Sequence, residues 1–238
     1  PAVLNHLITE EEHQHFEENG FLIVRNALES DQLTLLQDKV DQIWEEREQD
    51  GLDEDKNLFL PNFVGQDQCF IDLLDNPKTF PKVWGILGWN IYLYHSHLGV
   101  TPQEAPETEP LKLPLSFHQD SGRVNSDLES HPRPRISLKI AYWLSDVSEP
   151  GRGNFYVVPG SQLWSEFPGE SRKQLPEGAV PVLVAPGSAV FFDRRVWHAS
   201  GRNLSDVSRK VLYYGYSYRW LKPRDNMTVD HLLDAADP

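Results

Sequence analysis

Residues 90–100 read NIYLYHSHLGV, a short segment rich in β-branched and aromatic residues, and at this point the chain changes character. Segments of the same kind follow it: RISLKIAYWL, NFYVV, PVLVA, SAVFF and RKVLYYGYSY, punctuated by Pro-Gly-Ser turns at Pro159 and Pro186. Six or more strands therefore succeed one another with no intervening helix long enough for a parallel crossover, which predicts an antiparallel sandwich or barrel. Upstream the pattern is helical. Thr9-Glu10-Glu11-Glu12 has capping-box spacing and Gly20 can close the helix it opens. FLIVRN (residues 21–26) reads as a strand, and Ser30 as the cap of a longer helix in which Leu33, Leu36, Val40 and Ile43 share one apolar face until Gly51. Further helical patches are expected at residues 70–74 and after Asn76-Pro77. The expected class is mainly β with flanking N-terminal helices packed on one outer face.

Composition is consistent with that reading. The 238 residues are 39% hydrophobic and 11% aromatic, enough for one substantial core, and no compositional shift suggests two. The chain reads as one domain over residues 1–238: helical to about residue 89, β from about 90 to 220, then a short C-terminal tail. No apolar run approaches membrane-spanning length, and the opening PAVLNHLITEEEHQHF is acidic where a signal peptide is basic and then apolar, so a soluble cytoplasmic protein is expected. Cys69 is the only cysteine, which excludes an intrachain disulfide and a cysteine-based zinc cluster. The net charge of −14 argues against nucleic acid and anionic membranes as partners, and more weakly against an anionic substrate, because a local basic pocket can override the global field. Nothing in the sequence addresses oligomeric state.

The segment SFHQDSG (residues 116–122) places His118 and Asp120 two positions apart, hence on one face if the segment is extended. His198, after the apolar strand SAVFF, supplies a third candidate ligand. Two imidazoles and one carboxylate on one face of an octahedral ion leave the opposite positions open, the arrangement suited to non-haem Fe(II) and O₂. Such chemistry needs an electron source, which a chelating 2-oxo acid would supply. Arg209, eleven residues after His198, has the permanent charge to pair with the far carboxylate of such an acid, and Ser200 could add a hydroxyl donor from the same side.

FHQDSG, the VVPGSQ turn (residues 157–162), and HASGRN (residues 198–203) followed by Arg209 together resemble the phytanoyl-CoA dioxygenase family of Fe(II)- and 2-oxoglutarate-dependent oxygenases. The resemblance covers roughly residues 21–220. It implies a double-stranded β-helix (a cupin-like jelly roll), iron held by His118, Asp120 and His198 as the catalytic centre, and 2-oxoglutarate held by Arg209 and Ser200. Tyr142 falls where the family often has an aromatic residue lining the cosubstrate pocket. The implied reaction is O₂-dependent hydroxylation of a small molecule with release of succinate and CO₂. The chain departs from the family pattern at Gly151-Arg152-Gly153-Asn154 and at Gln162, which stands where the family has a histidine. Asp120 is retained, which favours hydroxylation over the halogenation seen where that carboxylate is lost.

Blander readings compete with these. An isolated His-x-Asp is most often a surface turn; His198 and Arg209 at these offsets shift the balance to a metal. His95 and His97 share a strand face without an acid to complete a second metal site, so they either reach the pocket as substrate or cosubstrate contacts or face solvent. Arg133, Arg135 and Lys139 form a basic cluster that reads as a solvated strand edge or as a dock for an anionic substrate group. Trp84, Trp89, Trp143 and Tyr213 read as core. A non-catalytic cupin-like binding protein and a cupin-type hydrolase or isomerase are the rival functions. Substrate choice is expected to reside in residues 101–114 and 120–135, and acyl-CoA, a free acid, an amino acid and a secondary metabolite all remain open.

Overall fold

The computed structural model describes residues 5–53, 56–105, 115–226 and 229–231. The expected specificity segment at residues 101–114 thus lies outside the described residues from 106 onward, as does half of the C-terminal tail.

The helical portion comprises α1 (Glu10–Asn19), α2 (Ser30–Gln49), α3 (Gln68–Ile71) and α4 (Phe80–Leu87), interleaved with β1 (Phe21–Val24) and β2 (Leu58–Pro61). The capping box forms as its spacing predicts: Thr9 Oγ1 accepts from Glu12 N–H at 3.2 Å while Glu12 Oε2 accepts from Thr9 N–H at 3.0 Å. Gly20 ends α1 in the left-handed region at φ 77°. Ser30 differs from expectation. It is the first helical residue of α2, and the preceding Glu29 occupies the cap position without a side-chain hydrogen bond. α4 runs through both Pro81, tolerated in its first turn, and Gly85.

The β region contains β3 (Ile91–Thr101), β4 (Leu115–His118), β5 (Ser137–Trp143), β6 (Phe155–Val157), β7 (Val180–Pro181), β8 (Ala189–Asp193), β9 (His198–Ser200) and β10 (Arg209–Tyr218), with a short α5 (Gly122–Asp127) after β4. All pairings are antiparallel. Six strands form one sheet in the order β1-β8-β5-β10-β3-β2, and four form a second in the order β4-β9-β6-β7.

Strand alternation sorts the large sheet into two faces. Leu138, Ile140 and Tyr142 of β5 and Leu212 and Tyr214 of β10 join Phe16, Leu36, Val40 and Phe70 in the layer beneath the helices. Ala141 and Trp143 of β5 and Val211 and Tyr213 of β10 point the other way, toward Phe155 and Val157 of the small sheet. The candidate site opens in this inter-sheet layer. β3 obeys the same rule with one interruption. Its pairing with β10 slips between Gly215 and Tyr216, so Ile91 and Leu93 before the irregularity and Leu98 and Val100 after it all pack on the helix side. That one-residue bulge turns His95 and His97 inward, where unbroken alternation from Ile91 would have aimed them at the helices.

Candidate metal centre and the adjoining pocket

His118 is the last residue of β4 and His198 the first of β9, and the two are register partners with ring centroids 4.2 Å apart. Asp120 differs from the expected extended placement: it stands in the turn beyond β4, fixed by its own N–H donating to Arg194 O at 2.7 Å and by Asn125 Nδ2 donating to its carbonyl at 3.2 Å. One ligand atom from each of the three lies within 4.8 Å of the others.

The tautomers suit a metal. His118 Nδ1 sits 3.0 Å from Ser116 O and His198 Nδ1 2.9 Å from Val196 O, so each Nδ1 carries the proton and each Nε2 presents a lone pair. Burial, with His118 alongside, pushes His198 down to about 3, so its imidazole is neutral at physiological pH. Phe155 and Phe192 pack against it, each at 5.2 Å between centroids.

Asp120 is 6% exposed. Burial alone would raise its pKa, but the Lys139 ammonium outweighs that and holds the carboxyl well below the usual range. Lys139 Nζ is 2.9 Å from Asp120 Oδ2, yet the contact is an ion pair off the hydrogen-bonding direction, and that oxygen has no hydrogen-bond partner. A buried, ionised carboxylate oxygen without a hydrogen bond beside two imidazole Nε2 atoms is a donor set that fits a divalent cation.

A cavity of about 220 Å³ opens over these residues, and a second of about 270 Å³ adjoins it, the two sharing Phe59, His97, Ser200 and Tyr213. Arg209 lies along the second. Its Nη1 donates to Gly153 O at 3.0 Å, its Nε is buried without a partner, and Trp143 stacks beneath it at 5.8 Å. Gly153, in the turn where the sequence departs from the family pattern, sits at φ +70°, and a Cβ there would come within 2.9 Å of Arg209 Cδ. The Gly-Arg-Gly-Asn turn thus cradles the guanidinium. Gln162, the other departure, lies away from the triad and donates to the carbonyls of Glu17 and Glu18 at the end of α1.

His95 and His97 both line the metal-side cavity. Three other expectations need correction. Tyr142 points into the helix layer, where its hydroxyl is 2.6 Å from Thr79 Oγ1, because its even-numbered position on β5 faces away from the cavity. Arg135 is committed to Glu17 and Asp193, and Arg133 donates to Asn125 O at 2.5 Å; neither lines the two cavities. Trp89, read as core, is 71% exposed, whereas Tyr213 is in the core as read and lines both cavities from there. Lys139, read as part of a basic cluster on a solvated strand edge or anion dock, is instead buried at the metal-side cavity, and the lining role of Tyr213 had a signal in its i+4 position from Arg209 on the same strand face. Arg224, also at the metal-side cavity, lies past the last strand and has none.

The family model for phytanoyl-CoA dioxygenase (PhyH) matches residues 16–211. The chain belongs to the phytanoyl-CoA dioxygenase family. A relative, the uncharacterized protein Rv1501 of Mycobacterium tuberculosis, is 28% identical over 171 residues, 72% of this chain and 58% of that protein. Dioxygenase af480 of Aspergillus fumigatus is 24% identical over 176 residues, 72% of this chain and 51% of that protein. The chain therefore spans little more than half the length of these curated relatives. Among solved structures, HygX from Streptomyces hygroscopicus with nickel and 2-oxoglutarate bound superposes with a TM-score of 0.72 at 16% identity, covering 91% of this chain and 90% of that one. That likeness establishes the PhyH chain's fold as the double-stranded β-helix, or jelly roll.

Proposed function

We propose that the chain is an Fe(II)- and 2-oxoglutarate-dependent dioxygenase that hydroxylates a small organic molecule, forming succinate and CO₂. One observation carries the reading: the His118, Asp120 and His198 cluster, whose Asp120 Oδ2 is ion-paired to Lys139 without a hydrogen bond, opens into a space that continues to the Arg209 Nε, which has no hydrogen-bond partner. His118, Asp120 and His198 would hold the iron, and Arg209 with Ser200 the distal carboxylate of the cosubstrate. When bound, iron with 2-oxoglutarate supplies the oxidising power to activate O₂ and replace a substrate C–H by C–OH.

The chain's own residues prepare that chemistry. Lys139 keeps Asp120 ionised, and burial keeps His198 neutral, so both can meet a cation without releasing a proton first. Phe155 and Phe192 hold the His198 ring and shield it from water. Arg209, backed by Trp143 and Gly153, fixes the end of the space remote from the triad.

A cupin-type hydrolase or isomerase gives Arg209 no cosubstrate to hold, and a non-catalytic binding protein would form no succinate. Among the described residues no helix is long and apolar enough to cross a membrane. The reading is tested by incubating Fe(II)-loaded protein with 2-oxoglutarate, ascorbate and air. Succinate should form above the free-iron background, faster with a true substrate, and not at all without O₂; background rates throughout would sink it.

A further inference from the structure

Beyond the last strand the chain returns across β3, with the N–H groups of Arg224 and Asp225 donating to Tyr94 O at 2.9 and 3.3 Å. This brings Asp225 onto the β3 bulge. Its Oδ2 accepts from Ser96 N–H at 2.6 Å and from Ser96 Oγ at 3.3 Å, while its Oδ1 is 2.8 Å from His95 Nδ1. His95 Nε2 is in turn 3.1 Å from His97 Nδ1. The His97 ring is clamped between Tyr213, stacked at 4.3 Å, and Phe59 at 4.7 Å, and it lines both cavities.

The proton positions along this chain follow from its first member. An ionised carboxylate can only accept, so His95 Nδ1 carries a hydrogen. A neutral His95 then has a bare Nε2, which accepts from His97 Nδ1–H. A neutral His97 is left with a bare Nε2, for which the described residues supply no partner. Both imidazoles are neutral near pH 7: burial lowers His95 despite its bond to Asp225, and burial with the Lys139 charge nearby lowers His97 well below its ordinary value against the opposing pull of Asp120.

We infer that His97 Nε2 is a fixed hydrogen-bond acceptor that selects a substrate bearing a hydroxyl or amine donor, with Asp225 and His95 as positioning residues that set its tautomer. 2-Oxoglutarate offers only acceptor oxygens and cannot satisfy this nitrogen, so a substrate that displaces solvent from the cavity without bringing a donor would leave it bare. The substrate part rests on the dioxygenase reading; the tautomer part does not.

Asp225→Asn supplies the test, because Ser96 N–H must still be accepted. The new amide turns its oxygen to Ser96 and its NH₂ to His95 Nδ1, which reverses every hydrogen in the chain and places one on His97 Nε2. Nitrogen chemical shifts of ¹⁵N-histidine-labelled, Zn(II)-loaded protein near neutral pH read this directly, with His97 assigned by loss of its signal in His97→Gln. The expected result is an unprotonated Nε2 in the native protein and a protonated Nε2 in Asp225→Asn. A protonated Nε2 in the native spectrum overturns the inference even if the variant fails to fold, and so does an unchanged tautomer in a folded variant. In a succinate-release screen the best substrate should carry O–H or N–H, and methylating that group should lower kcat/KM by about tenfold or more. His97→Phe should lose as much and His97→Gln, whose amide oxygen still accepts, should recover most of it. A best substrate without a donor overturns the inference. If no compound releases succinate, the dioxygenase reading suffers and the nitrogen shifts still decide this one.

Discussion

Lys139 Nζ lies 2.9 Å from Asp120 Oδ2, joining the centre of the large sheet to the turn that follows β4. Both side chains are buried, and the ammonium is what offsets the cost of burying the carboxylate. Replacing Lys139 with methionine should lower the stability of the metal-free protein by about 3 kcal/mol, because Asp120 is then buried unpaired. A divalent cation would restore the missing positive charge. The rise in Tm on adding Ni(II) should therefore be larger in the variant than in the native protein; equal rises would mean that the cation does not meet Asp120.

Arg209 makes a separable contribution. Arg209→Ala should weaken 2-oxoglutarate binding to the Ni(II) protein by about 10- to 100-fold in calorimetry, the range for losing charge-assisted hydrogen bonds, and leave Ni(II) affinity unchanged. Gly153→Ala should weaken it in the same direction, since its Cβ would displace Arg209 Cδ.

Tyr142 gives a control. Its hydroxyl bonds within the helix layer, so Tyr142→Phe should cost about 1 kcal/mol of stability and leave 2-oxoglutarate affinity untouched. A change in affinity would place the ring in the cosubstrate pocket after all.

Asp193 predicts acid behaviour. It is fully buried and accepts from Arg195 and Arg135; burial raises its pKa, but those two guanidinium groups outweigh it and hold the carboxyl below its ordinary 3.8. The native state thus binds the proton less readily than the unfolded chain. This contribution to stability is complete above 3.8 and is lost as pH falls through the lower folded value. Denaturant melts of Asp193→Asn should show lower stability at neutral pH, by about 3 kcal/mol, and a flatter decline below pH 3.8 than the native protein.

These cases show where sequence suffices. The convergence of His118, Asp120 and His198 is legible because residues of metal-binding type cluster at strand ends separated by turn signals, and the antiparallel fold is legible from the succession of strands. Strand parity is harder. Tyr142 is misplaced by one position because nothing in KIAYWL says which face meets the helices, and both faces of β5 are buried. His95 and His97 face inward only through a bulge that no residue pattern announces. Asp225 acts through a return of the chain after β10, a long-range contact with no local signature.

The most direct measurement is the visible spectrum of the anaerobic protein as 2-oxoglutarate is added to its Fe(II) form. A weak charge-transfer band should appear, saturate at one equivalent of iron per chain, require far more 2-oxoglutarate in Arg209→Ala, and be absent in His198→Ala. No band at saturation, or a band that survives the loss of His198, would contradict a cosubstrate chelated at this centre.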